Sequence, residues 1–413
     1  MLSFYHSRDR GHWSKLTRKY SILVLLVAIW PDLQLHGTPL LALRESDQCG
    51  ACHNPGRSER PLLERRCTLD CQGCHIDPNG AGPRNQWGTY YEYDGLSLIS
   101  FFTPTDPLKE ERRYDFHYDG RIMGQKADGK SRRFPMNSDF SLRLRPFVTH
   151  LHLTMHSSFL GRIGTDKINY HNRKVNRHQQ KFSVMLDALP LNTYLRLFRG
   201  PPVYGLRRPN HSLWIRERTG LDQFAITDGI AIGGTPTVPY LHYSLMMGSH
   251  KVPEEDKQKG YSFHGGMRGV TLGWHINGSL WKTSSRKTEI EMEALGGGAK
   301  VLGFLIMGET NWRKVREKTL TSETLLSLES RGVRVHPSSV IEEWTLAWSG
   351  LRGVMPGFVL ETLQSSGINS TRKSVFIDLH PFPFLQLELW RRFESGSRTM
   401  WDTLALAHLY GSF

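Results

Sequence analysis

Along several stretches of the chain, apolar and polar residues alternate one for one. Leu142 and Leu144 alternate with Arg143 and Arg145, and Leu241, Tyr243, Leu245 and Met247 alternate with His242, Ser244 and Met246. Between Val270 and Ile276, the apolar Val270, Leu272, Trp274 and Ile276 are separated by Thr271, Gly273 and His275. Successive side chains of a strand point to opposite faces, so each stretch predicts a strand with one apolar and one wettable face. The longest run goes from Ile377 to Leu389. It puts Ile377, Leu379, Pro381, Pro383, Leu385, Leu387 and Leu389 on one side and Asp378, His380, Gln386 and Glu388 on the other. Ile290, Met292 and Ala294 alternate with Glu289, Glu291 and Glu293, and three carboxylates on one face require water there. Polar or glycine-rich connectors such as Lys251–Gly260 and Gly161–Gln180 separate the runs. A soluble β-sandwich and a transmembrane β-barrel both produce this pattern. From near residue 110 to Phe413, at about 20 residues per strand and connection, the chain holds about 14 to 16 strands, and bacterial barrels use an even number.

Composition and charge narrow the choice only in part. The 413 residues are 38% hydrophobic and 22% charged, which excludes collagen-like and fully disordered chains. A net charge of +14 points to nucleic acid or to an anionic lipid or lipopolysaccharide surface. The N-terminus separates these two. Arg8, Arg10, Lys15, Arg18 and Lys19 precede an apolar run from Ile22 to Trp30, the layout of a signal peptide, here assigned to residues 1–42. Export removes nucleic acid from the partners. After Trp30 no stretch reaches the roughly 18 apolar residues of a spanning helix, so an exported chain of this kind is either periplasmic or a barrel. The terminal Phe413 closes the amphipathic segment that begins at Trp401, which resembles the C-terminal signal read by the barrel-assembly machinery. Alternation, leader and terminus together give an all-β fold class: a transmembrane antiparallel β-barrel over residues 96–413, in the bacterial outer membrane.

All five cysteines fall between Cys49 and Cys74, in a short module assigned to residues 43–95, so they do not staple the whole fold. The module contains C-x-x-C-H twice, as Cys49, Cys52 and His53 and again as Cys71, Cys74 and His75. Two thiols three positions apart can form thioethers to both vinyl groups of one haem, and the adjoining histidine is placed to ligate the iron. Two such motifs predict two covalent haem c groups in a small loop-rich or helical module. A zinc ribbon is the competing reading, because Cys49-x2-Cys52 and Cys71-x2-Cys74 have ribbon-like separation, but zinc leaves the two histidines unexplained. For the sixth iron position, His36 and His117 are the nearest candidates outside the motifs, with Met123 and Met136 as alternatives. Cys67 is left over and is expected to have no catalytic role.

After the second motif the chain reads His75-Ile76-Asp77-Pro78-Asn79-Gly80-Ala81-Gly82-Pro83-Arg84-Asn85-Gln86-Trp87-Gly88. Its proline and glycines allow close turning against a haem face, and Arg84 can pair with a propionate. Residues 49–88 resemble the C-H-x-x-P-x-G-x-G-x-R-N-x-aromatic-G signature of outer-membrane barrels that carry an N-terminal haem c module, the porin-cytochrome fusion type. Cys67 and the shortage of distal histidines depart from a simple bis-His pattern. A second, partial resemblance runs from Tyr194 to Arg207, which is similar to the R-x-G-x-x-x-P-x-G-L strand and turn of phosphate-selective-type porins, with Phe198-Arg199 in place of the first glycine.

The first resemblance implies an outer-membrane electron carrier, not an enzyme. Its haem module would be periplasmic or lie within the lumen, and its partners would be periplasmic and surface cytochromes, since two haems make a short chain against an apolar band about 25 Å tall. Outer-membrane lipid and lipopolysaccharide would surround the barrel. The alternative is a passive, anion-preferring porin, suggested by Arg143, Arg145 and the basic balance, whose cysteine module is structural or sensory or binds zinc. No Ser/His/Asp, phosphate-loop or paired-carboxylate arrangement stands out.

Overall fold

In the computed structural model the alternating segments become antiparallel strands. It describes residues 78, 98–99, 113–127, 130–145, 151–160, 178–206, 213–219, 226–234, 239–249, 257–269, 273–318, 338–365, 368–382, 385–396 and 400–412. The strands are β1 (Tyr114–Ala127), β2 (Lys130–Leu144), β3 (Leu151–Leu160), β4 (His178–Leu189), β5 (Thr193–Gly200), β6 (Thr227–Gly234), β7 (Tyr240–Met246) and β8 (Lys259–Arg268). They continue as β9 (Trp274–Ser284), β10 (Thr288–Val301), β11 (Phe304–Glu317), β12 (Ser338–Trp348), β13 (Val354–Ser365), β14 (Ile368–Phe382), β15 (Leu385–Ser395) and β16 (Met400–Ser412). A one-turn helix, α1 (Trp214–Glu217), lies between β5 and β6.

Each strand pairs with its sequence neighbours, and β1 pairs with β16 through Asp119↔Tyr410 and Met123↔Leu406, so the sheet closes into a sixteen-stranded barrel. Closure satisfies every ladder without an open edge, which a spanning sheet requires because hydrocarbon offers no hydrogen-bond partner. The outer face is apolar: Ile232, Leu241, Leu245, Ile276, Leu295 and Val375 point away from the lumen and are exposed. Their strand neighbours Ser244, Asn277 and Ser374 point inward and are buried, as are Ser279 and Glu309.

Connection lengths give the barrel a direction. The end that carries the first residue of β1 and the last of β16 has only short connections, of which 145–150 is the longest. The opposite end carries 161–177, 201–226, 247–258 and 318–337. Short turns are periplasmic and long loops extracellular in such barrels, so both barrel termini lie at the periplasmic end. There the chain before β1 touches the rim. Leu98 N–H donates to the His380 carbonyl at 2.8 Å, and Ile99 N–H donates to that of Pro381 at 3.1 Å.

Three sequence expectations change. The Ile377–Leu389 run is not one strand but the ends of β14 and β15, joined across residues 383–384, with Leu379 opposite Leu387. Alternation continues through the hairpin because both strands present the same apolar face outward. β9 starts at Trp274, four residues after Val270, with Gly273 at φ 55° just before it. On β10 the polarity is inverted. Met292 and Ala294 are the buried, inward residues, and Glu293 is exposed. The glutamates sit beside the extracellular 285–287 turn, where Glu289 and Glu291 each lie 3.6 Å from Lys282 Nζ. The water they require is at the outer rim, not in the lumen, and the apolar outer band of this strand begins only at Leu295.

Candidate functional site

The chain after β5 bends into the barrel. Residues 202–206 are buried, and the bend turns on Gly205 at φ 61°, where a Cβ would stand 2.7 Å from Glu309 Oε1. Only glycine meets both conditions without strain. The wall on β9 and β11 holds this bend by polar contacts. Gly205 N–H donates to Ser279 Oγ at 2.9 Å, Leu206 N–H donates to the Glu309 carboxylate, and Tyr204 Oη donates to Asn311 Oδ1 at 2.9 Å. Burial, with Glu309 beside it, raises the Tyr204 phenol above its usual pKa range, so it remains a neutral donor. The Tyr204 ring meets Trp281 edge-on at 6.0 Å and packs with Met292 and Ala294, which explains why β10 turns its apolar face inward here.

Farther along the same connection, α1 is fixed to the adjoining stretch of wall, on β13 and β14. Trp214 N–H donates to Glu361 Oε1 at 2.5 Å, and Arg372 clamps that carboxylate with Nε at 2.6 Å and Nη2 at 2.7 Å. The Arg372 guanidinium also lies 4.7 Å from the centroid of the Trp214 ring. Leu213, Trp214 and Ile215 join an apolar cluster with Met307, Ile341 and Phe376 inside the barrel. The interior is therefore partly a packed core. Of the Tyr194–Arg207 stretch singled out by sequence, the described residues 194–206 form β5 and the start of this inward segment.

Histidines mark the other half of the lumen. Among the described residues, every buried histidine (His117, His152, His242, His264, His275 and His380) lies on the periplasmic half of its strand, and so does the half-buried His408. His242 and His264 are cross-strand partners with stacked rings, 6.1 Å between centroids and 9° between planes. His242 Nδ1 is 2.9 Å from Tyr194 Oη, and His264 Nδ1 is 2.7 Å from Ser279 Oγ, the hydroxyl that also receives Gly205 N–H. His380 contacts Asp378 through Nε2 and Tyr410 through Nδ1, and His408 contacts Asp119 and Gln386.

Of the residues expected to bind haem, Cys49, Cys52, His53, Cys71, Cys74 and His75 lie outside the described residues, as do His36 and the leader. His117 lies on β1, opposite Ser412 of β16 and Ser141 of β2, and is buried in the periplasmic half. Met123 is buried in the apolar cluster of the wall. The alternation already put His242, His275 and His380 on polar faces, but nothing local to the sequence showed that those faces share one end of one lumen.

No family model and no curated protein matches the sequence. Among solved structures, the chain is similar to a loop L8 deletion mutant of OmpT, an outer membrane protein of Vibrio cholerae. The TM-score is 0.51 at 9% identity, covering 72% of this chain and 99% of that one. It is also similar to Salmonella typhi OmpF in complex with daunomycin, with a TM-score of 0.51 at 7% identity, covering 73% of this chain and 97% of that one. The fold is that of bacterial outer-membrane, porin-like barrels.

Proposed function

We propose that this porin-like barrel is an electron carrier of the outer membrane, with two haem c groups attached at Cys49, Cys52 and His53 and at Cys71, Cys74 and His75. The observation that carries this reading is the pair of C-x-x-C-H motifs; Leu98 and Ile99, 23 and 24 residues after His75, meet the periplasmic rim. The residues that would hold the group lie outside the described residues; the wall at that mouth carries buried imidazoles, the side chain haem iron takes most often. Haem c would supply a one-electron iron couple. The protein's part would be to hold it: Cys49, Cys52, Cys71 and Cys74 would attach it by thioethers, His53 and His75 would ligate the iron, and Arg84 would neutralise a propionate. The chain then takes electrons from a periplasmic cytochrome and delivers them toward a surface partner through the barrel.

An interior that holds residues 202–206 and is packed around Trp214 favours this reading over free diffusion of solutes. The passive, anion-preferring pore keeps one observation in its favour, the inward, buried Arg143, Arg196 and Arg268. A haem-stained denaturing gel and an absorption spectrum decide between them, on detergent-extracted protein made with haem c maturation. Two covalent haems per chain are expected. Bound zinc without haem would overturn the electron-carrier reading, and anion-selective current unaffected by replacing Cys49 and Cys71 would establish the pore.

A further inference from the structure

On one sector of the outer wall, charged side chains reach into the apolar band. The outward residues of β8–β11 line up in rows across the sheet. Nearest the extracellular end, Lys259, Ser284, Glu289 and Arg316 are successive cross-strand partners. The next row is Tyr261, Lys282, Glu291 and Lys314, and the third is Phe263, Leu280, Glu293 and Trp312. Arg286 and Lys287 are exposed in the turn above, and Lys318 Nζ donates to the Ser285 carbonyl there at 3.2 Å. Seven cations thus surround three carboxylates, an excess of positive charge on a wall that faces lipid. Lys282 Nζ lies 3.6 Å from both Glu289 and Glu291, and Arg316 lies 3.8 Å from Glu289. Exposed pairs of this kind add little to stability, and their effect is to fix where the cations stand.

The surroundings of this sector define its occupant. Tyr261 and Trp312 are exposed beside the cations, and such rings mark the membrane–water interface, where lipid headgroups lie. Leu280, Leu295, Ile276 and Ile306 are exposed on the periplasmic side of the charged rows and offer an apolar surface to acyl chains. At such an interface an excess of cations selects an anionic headgroup. Lys282 and Lys314 stand on strands two apart, about 10 Å across the sheet, a separation suited to two phosphates rather than one. Glu293 adds a further requirement. It is exposed between Leu280 and Trp312, at a level where hydrocarbon alone would leave a carboxylate without a partner. A sugar hydroxyl can donate to it, which an acyl chain cannot do.

We infer that the extracellular ends of β8–β11 form a binding site for a phosphorylated glycolipid of the outer leaflet. Its phosphates meet Lys282, Lys314 and Arg316, a sugar hydroxyl meets Glu293, and its acyl chains lie against Leu280, Leu295 and Ile306. The site does not depend on haem attachment.

The test uses the full-length chain in a non-ionic detergent, with barrel folding checked by heat-modifiable migration on gels. Diphosphorylated lipid A, monophosphorylated lipid A and phosphatidylglycerol are titrated in turn, with binding read by native mass spectrometry. One variant combines Lys282→Gln, Lys314→Gln and Arg316→Gln, and a second is Glu293→Leu. The control combines Lys373→Gln and Arg391→Gln, which remove two exposed cations of β14 and β15. The unsubstituted chain should bind the diphosphorylated glycolipid most tightly and phosphatidylglycerol least. The triple variant should bind the diphosphorylated form about a hundredfold more weakly, since each basic residue near an anionic lipid surface is worth about a factor of five. Glu293→Leu should weaken binding of both glycolipids but not of phosphatidylglycerol, and the control should bind as the unsubstituted chain does. The site is overturned if the triple variant and the control lose affinity equally, or if phosphatidylglycerol binds as tightly as the diphosphorylated glycolipid. It is also overturned if the triple substitution converts a dimer to a monomer with glycolipid binding unchanged, because a second copy would then cover this sector. Unchanged glycolipid binding by Glu293→Leu would overturn the sugar contact.

Discussion

Replacing Glu361 by alanine should release the inward segment while leaving the barrel closed. Glu361 is 0% and Arg372 5% exposed, and the carboxylate binds both the guanidinium and Trp214 N–H. Removing it strands a buried charge and an amide hydrogen. Breaking a buried pair from one side costs about 3–5 kcal/mol. The barrel ladders do not depend on this pair, so the cost falls on the docking of residues 213–219. At about 1.4 kcal/mol per tenfold, a loss of about 3 kcal/mol raises the undocked population roughly a hundredfold. Proteolysis of detergent-solubilised protein reads that population when reclosing outpaces cleavage. Cleavage within residues 201–226 should therefore accelerate roughly a hundredfold, on a chain that still migrates as a folded barrel. The double substitution Glu361→Leu with Arg372→Met should recover much of the protection, since an apolar pair of similar volume is often no worse than a buried ion pair. Cleavage of Glu361→Ala within about twofold of the unsubstituted rate would show that other contacts hold the segment, and the energetic assignment would be wrong.

Three further outcomes follow from the same geometry. Gly205→Ala forces a Cβ against Glu309 at a positive φ and should loosen the inward bend by about 1–3 kcal/mol, read as faster cleavage in the same segment with unchanged barrel migration. Asp402→Ala strands Arg392, which donates Nε to it at 2.7 Å, and removes the acceptor of Gln125 across the β1–β16 seam, so the temperature at which the barrel loses its compact gel migration should fall. Val375→Arg puts a charge on the outward face near the middle of β14 and should cost about 2–4 kcal/mol in refolding titrations into liposomes, measured against Val375→Ala.

The strand–connector rhythm was legible because period two is local: in Tyr240–Met246 the observed burial alternates residue by residue, as the composition of the stretch implies. The same rhythm misled where its meaning depended on distant chain. Met292 and Ala294 face inward because Tyr204, far away in sequence, packs on them, and no window around β10 contains that information. The Ile377–Leu389 run hid a hairpin because two prolines at alternating positions kept the pattern going through the turn. The two C-x-x-C-H motifs are legible for the opposite reason: each lies within five consecutive residues, and the haem attachment proposed for them needs nothing more distant.

The sequence by itself therefore determined what neighbouring side chains settle among themselves: alternating strands and their approximate number. Only the tertiary structure decided how strands β1 and β16 close, which face meets lipid, where residues 201–206 and 213–219 lie, and that histidines from well-separated strands gather at one end of the lumen. The reason is physical. Period two states that neighbours face opposite ways but not which medium either one meets, and that is set by ring closure and by contacts between residues a hundred or more positions apart.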